Sequence, residues 1–189
     1  MRSATVDMIG LQTPAGYSGV TLLSPDLIIE SGGVLIGRNL TITSVNFTVE
    51  IGGLITTNGL GYAPGVAPSG LTAAIQGAGG SYAGNGGRGG LSGNNVGSSP
   101  YGNIFTPREF GAGGALATVS AVANHTNWGG GAVRITASTF ARIDGSITCV
   151  GGNAGDISNG GGGAGGSIWL ATSTLLGRGT LSVNGGKGG

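Results

Sequence analysis

The chain has 189 residues, 45 of them glycine, with only 6 prolines, one cysteine and a formal net charge of +1. Glycine at this level without a Gly-X-Y period or abundant proline excludes a collagen triple helix. Hydrophobic residues make up 39 % of the chain, which at near-zero net charge excludes the composition of a disordered chain.

The N-terminal stretch, Met1 to Pro14, lacks the long apolar core of a signal peptide. No apolar run reaches the roughly 18 residues of a membrane helix, so no membrane insertion is expected. The first structured elements are predicted after residue 20. Ile29-Glu30-Ser31-Gly32-Gly33-Val34-Leu35-Ile36 and Val49-Glu50-Ile51-Gly52-Gly53-Leu54-Ile55-Thr56 share one pattern, offset by 20 residues. Each reads as a short strand, a glycine turn and a second short strand. Leu40-Thr41-Ile42-Thr43, and Val45 to Ile51 between them, alternate apolar and polar residues, as a half-buried strand does.

Between Tyr62 and Trp128 the pattern breaks into glycine runs, such as Asn85-Gly86-Gly87-Arg88-Gly89-Gly90, and four of the six prolines fall there. It returns at Gly131-Ala132-Val133-Arg134-Ile135-Thr136, followed by Ala141-Arg142-Ile143-Asp144-Gly145-Ser146-Ile147-Thr148. A last copy runs through Gly166-Ser167-Ile168-Trp169-Leu170-Ala171 and Leu175-Leu176-Gly177-Arg178-Gly179-Thr180-Leu181-Ser182. No segment shows a helical period with caps. These repeats predict an all-β chain with almost no helix. They predict a right-handed parallel β-helix, or β-solenoid, as one domain over 1–189. Its coils occupy about 20–61 and 129–189, and an irregular glycine-rich excursion fills about 62–128.

From Ile29 to Gly189 the order of the glycine blocks resembles that of the glycine-rich β-solenoid segments of large surface and adhesin-like proteins. The carriers are Gly86-Gly87-Arg88-Gly89, Tyr101-Gly102, Phe110-Gly111-Ala112-Gly113-Gly114, Gly129 to Ile135, Gly145-Ser146-Ile147 and Gly162 to Leu170. Asn85 stands where such proteins often carry a histidine. The resemblance implies an extracellular or cell-surface location and no defined reaction.

Candidate chemistry is sparse. Glu30 and Glu50 fill equivalent repeat positions and, on neighbouring coils, would stand about 4.8 Å apart. A carboxylate pair can act on a glycosidic bond, but a solvated ladder is the simpler reading, and Asp144 and Arg178 fill the same place later. His125 has no triad partner marked in sequence, and His125 with Cys149 is too small a set for a metal. The glycine runs lead into strands, whereas a phosphate loop leads into a helix. No catalytic residue, cofactor or metal is therefore expected. The eight basic residues are scattered, so no nucleic-acid partner is expected either.

Asn39, Asn46 and Asn124 head N-x-T sequons, open to glycosylation if the chain is exported by a eukaryotic host. Tyr82, Tyr101, Phe110 and Trp128 lie in or beside the excursion as candidate glycan or partner contacts, or as anchors for it. Charged residues are only 8 % of the chain, so little resists self-association and a homo-oligomer or filament is expected. The expected role is a structural or adhesive module of an extracellular assembly. A carbohydrate- or receptor-binding tip is the alternative, and a polysaccharide-acting enzyme the third reading.

Overall fold

A computed structural model describes residues 5–7, 19–89, 96–116, 126–154 and 160–189. It contains β1 (Thr5–Asp7), β2 (Val20–Ile29), β3 (Val34–Ile36), β4 (Asn39–Val49), β5 (Leu54–Thr56), β6 (Ala132–Ile143), β7 (Ser146–Thr148), β8 (Ser167–Leu176) and β9 (Thr180–Ser182). No helix occurs among the described residues. The short strands form a five-stranded sheet in the order β1-β3-β5-β7-β9, and the long ones a four-stranded sheet in the order β2-β4-β6-β8. The pairings are parallel, as for β2 with β4 and β5 with β7.

Contacts divide the chain into two compact units. The strand unit comprises Met1–Thr57, Val133–Thr148 and Ile168–Ser182, and the second unit comprises Asn58–Ala132, Cys149–Ser167 and Val183–Gly189.

In the strand unit the apolar positions of successive short strands lie in register. Leu35 pairs with Ile55, Ile55 with Ile147, and Ile147 with Leu181. The first three are 3 %, 0 % and 0 % exposed, whereas Leu181, on the edge strand, is 47 % exposed. The turns before these strands explain the recurrent glycine. Gly33 and Gly53 donate N–H bonds of 2.8 Å to the carbonyls of Glu30 and Glu50. A Cβ on Gly53 would stand 2.7 Å from the Ile29 carbonyl oxygen, so that position needs space. The positive φ falls one residue earlier, at Gly32 (77°) and Gly52 (84°), as a type II turn requires.

The long strands follow the alternation read from sequence in stretches, with breaks between them. In β4, Leu40, Ile42 and Ser44 are buried, then the phase slips, Val45 is exposed, and Phe47 and Val49 are buried. The burial pattern of β2 slips at Pro25-Asp26, and that of β6 at Ser138-Thr139. Small hydroxyl residues sit at or beside these breaks: Ser24 bonds the Asp26 carbonyl (2.6 Å), whereas the buried Ser44 hydroxyl has no partner among the described residues. Val45 therefore belongs to the outer face, although Phe47, Val49 and the polar Asn46 and Thr48 follow the alternation.

A right-handed β-helix over 1–189 is not what the chain builds. A solenoid returns to its neighbour after a near-constant number of residues. Here Val34 stands beside Leu54, but Leu54 beside Ser146 and Ser146 beside Thr180. The residues that follow β5 and β7 are not coil corners. They belong to the second unit, which carries only the first residues of β6 and β8. Nor are the described residues of 62–128 irregular, as their hydrogen bonds show.

In segment 111–116 successive amides donate to different neighbours. Gly111 bonds the Gly130 carbonyl, Ala112 that of Ser81, Gly113 that of Val66, Gly114 that of Asn127 and Ala115 that of Ala78. The partner segment thus recurs every third residue. The same period holds elsewhere. Gly161 and Ala164 donate to Ala115 and Ala112, and Gly163 and Gly166 to Gly152 and Cys149. Gly151 and Ala154 donate to Asn184 and Lys187, and Gly186 and Gly189 to Gly163 and Gly160.

A three-residue period without internal bonds is the polyproline-II-type helix. None of Gly111, Gly113 or Gly114 has a positive φ, in keeping with that conformation. Side chains are excluded because the Cβ directions are occupied by neighbouring backbone. A methyl on Gly113 would overlap the Ala63 carbonyl, one on Gly114 that of Gly161, and one on Gly163 that of Trp128. Alanine is admitted where the lattice leaves room. Ala112 and Ala115, three residues apart, are both buried, and Ala115 packs with Ala74 and Ala78. Among the described residues Asn127 is the largest of the buried polar side chains, beside Ser81, Ser98 and Ser167, and its Nδ2 donates to the carbonyls of Gly114 (2.9 Å) and Gly161 (3.0 Å).

Candidate binding surfaces

The glycine bundle leaves its side-chain chemistry to the connections between its segments. The connection from Tyr101 to Phe110 is held at its base by aromatic packing and at its tip by a side-chain turn. Tyr82 and Tyr101 pack edge to face with centroids 5.4 Å apart, and Tyr62 and Phe110 at 5.8 Å. The Tyr101 N–H donates to the Tyr82 carbonyl at 2.7 Å, and the Tyr101 hydroxyl donates to the Phe110 carbonyl. The Tyr82 hydroxyl donates to Glu109 Oε2 at 3.2 Å, which also accepts the Arg108 N–H at 3.1 Å. The Ser167 hydroxyl bonds the Glu109 carbonyl at 2.9 Å. Gly102 turns the chain with φ of 93°, and a Cβ there would stand 2.8 Å from the Tyr82 ring. Asn103 Oδ1 accepts the N–H groups of Phe105 (2.8 Å) and Thr106 (3.2 Å).

The titration of the two tyrosines follows from this packing. Burial first, then the Glu109 carboxylate, pushes the Tyr82 phenol up to about 12. Burial, followed by Tyr62, Tyr82 and Glu109, raises that of Tyr101 further still.

At the tip the packing stops. Ile104 is 77 % exposed and Phe105 82 % exposed. Of the aromatic contacts anticipated from sequence, Tyr82, Tyr101 and Phe110 lie together at the loop base. Trp128 lies on the segment that follows residue 125, half-buried, its carbonyl accepting the Gly152 N–H. Sequence reasoning did not single out Ile104 or the role of Glu109. The signal present was an apolar pair, Ile104-Phe105, directly after a turn-forming Gly102-Asn103.

The sequons occupy different settings. Asn39 opens β4 with its amide beside Gly19. Asn46 faces Asp26 across the β2–β4 ladder and donates to its Oδ1 at 2.7 Å. Asn124 and His125 lie outside the described residues.

In the strand unit the turn carboxylates act on the turns beside them. Glu50 Oε2 accepts the Ser31 N–H at 3.1 Å. Asp144 pairs with Arg142 Nε at 2.5 Å and accepts the Arg178 N–H at 3.3 Å. The Arg142 hydrogen bond holds the Asp144 carboxyl below the usual carboxylate range. No group of three or more His, Cys, Asp or Glu side chains converges among the described residues, and Cys149 is a buried thiol. Comparison with protein-family models, with curated proteins and with solved structures gave no match to this chain.

Proposed function

We propose that this protein is a structural and adhesive module of an extracellular assembly, in which the glycine bundle is a stiff scaffold and the 101–110 loop makes the contact. The observation that carries this reading is the exposed Ile104-Phe105 pair on a loop anchored at both ends. An apolar pair costs solubility when left in water, and exposed apolar side chains on an ordered loop mark a contact surface. The bundle suits a scaffold, because its segments are joined by backbone bonds in three directions. The near absence of charge suits an assembled setting. The carboxylates give an enzymatic reading no support, since Glu50 and Asp144 bond neighbouring turns.

The test is retention of fluorescently labelled protein on intact cells and on glycan-coated beads. Replacing both Ile104 and Phe105 by serine should cut retention about tenfold or more, the scale of losing buried apolar anchors, with an unchanged melting temperature. Equal retention of the variant would remove the loop from the proposal.

A further inference from the structure

A second surface, in the strand unit, is independent of the loop. The turns and long strands enclose an open groove of about 770 Å³ lined by Ser31, Thr48, Glu50 and Ile51 on one side and by Phe140, Arg142, Asp144 and Leu176 on the other. Its volume falls in the range of small-molecule sites.

The lining is mixed in a particular way. Phe140, Ile51 and Leu176 give it apolar patches, and Ile51 is 77 % exposed although it sits at the tip of a fixed turn. The polar groups supply both halves of a hydrogen bond. Glu50 uses one oxygen on the Ser31 N–H and keeps the other as an acceptor. Arg142 uses Nε on Asp144 and keeps its terminal nitrogens as donors. Asp144 has both oxygens engaged, so it fixes Arg142 in place. A hydroxyl donates and accepts at once, and a donor beside an acceptor fits a row of them. Two carboxylates against one guanidinium leave the lining net negative, which disfavours an anionic ligand. The groove residues sit on neighbouring parallel strands and their turns, spaced about 4.8 Å apart, which favours a linear ligand. Apolar patches fit the C–H faces of sugar rings.

We infer that this groove binds a short stretch of a neutral, linear polysaccharide. The inference concerns binding alone, with Asp144 committed to holding Arg142 and the Arg178 turn.

The test is a titration of isotope-labelled protein with cellohexaose, maltohexaose and chitohexaose, followed by amide shifts. At least one probe should shift Ser31, Ile51 and Arg142 saturably. Glu50→Gln or Arg142→Ala should weaken that probe about tenfold, the scale of one charge-assisted hydrogen bond. Ile51→Ser, at an exposed site, should weaken it with the melting temperature unchanged, which separates lost contact from lost fold. Phe105→Ser should leave it unaltered, so the groove and the loop fail or stand separately. The inference is overturned if none of the three probes shifts these amides. It is also overturned if binding survives both polar substitutions, or if an oligogalacturonate of the same length binds as well.

Discussion

The strand unit and the glycine bundle satisfy the same backbone groups by opposite means. In the strand unit each amide looks to one of two neighbours, and every second side chain is free to pack. Leu35, Ile55 and Ile147 form an apolar ladder in this way. In the bundle the amides turn through three directions, and neighbouring backbone fills the space where side chains would stand. The first arrangement is held by apolar burial as well as by its ladders. The second buries little beyond alanine methyls, so its hydrogen bonds and its packing of bare backbone must carry it. The same residue type thus serves two purposes: Gly32 and Gly52 supply a backbone angle, whereas Gly113 and Gly163 supply an absence.

The largest expected effect breaks the bundle alone. Gly163→Ala places a methyl on the Trp128 carbonyl, and backbone cannot step aside as a side chain does. A cost of about 3 kcal/mol or more is expected, at the top of the range for overpacking. Gly87→Ala meets nothing within 4 Å and needs no positive φ, so it should be neutral or stabilise by up to about 1 kcal/mol through the unfolded chain. Denaturant unfolding of the two variants checks the contrast, and equal effects would contradict the packing account.

The next effect belongs to the strand ladder. Ile147→Ala should cost about 2–5 kcal/mol. Leu181→Ala, one strand further in the same register but 47 % exposed, should cost well under half of that. If Leu181 proved as costly, its edge would be covered in solution.

Asn127→Ala removes two donors from buried carbonyls in separate segments and should cost about 2 kcal/mol, read from the same unfolding curves.

The smallest effect is in alkali. The folded state holds Tyr82 to about 12 against about 10 unfolded, so its contribution is complete below pH 10 and is lost as the pH rises through about 12. Ultraviolet titration should show late-ionising tyrosine, and Glu109→Gln should bring Tyr82 down.

Much of the strand unit was legible in sequence. The repeated turn with glycine at its fifth place located β3, β5, β7 and β9, because a two-residue alternation writes itself in side-chain types. The phase slip in β4 was legible as the change from even apolar positions, Leu40 and Ile42, to odd ones, Phe47 and Val49, but the exposure of Val45 was not, since a valine there reads as part of the buried face. The glycine bundle was misread as an excursion for a physical reason. Gly87 and Gly113 look alike in sequence, and what separates them is whether another segment, such as that at Ala63, lies against the Cβ direction. The trace that did exist was Ala112 and Ala115, three apart inside a glycine run. The candidate loop was half legible, since the aromatics marked its base and nothing marked the exposure of its tip.

The most direct test of the three-direction bundle is to measure scalar couplings across the hydrogen bonds by solution NMR. The amides of Gly111, Ala112 and Gly113 should couple to the carbonyls of Gly130, Ser81 and Val66, and those of Gly114 and Ala115 should return to Asn127 and Ala78. Couplings that alternate between two neighbours, or amides in this segment that exchange at unprotected rates, would contradict it.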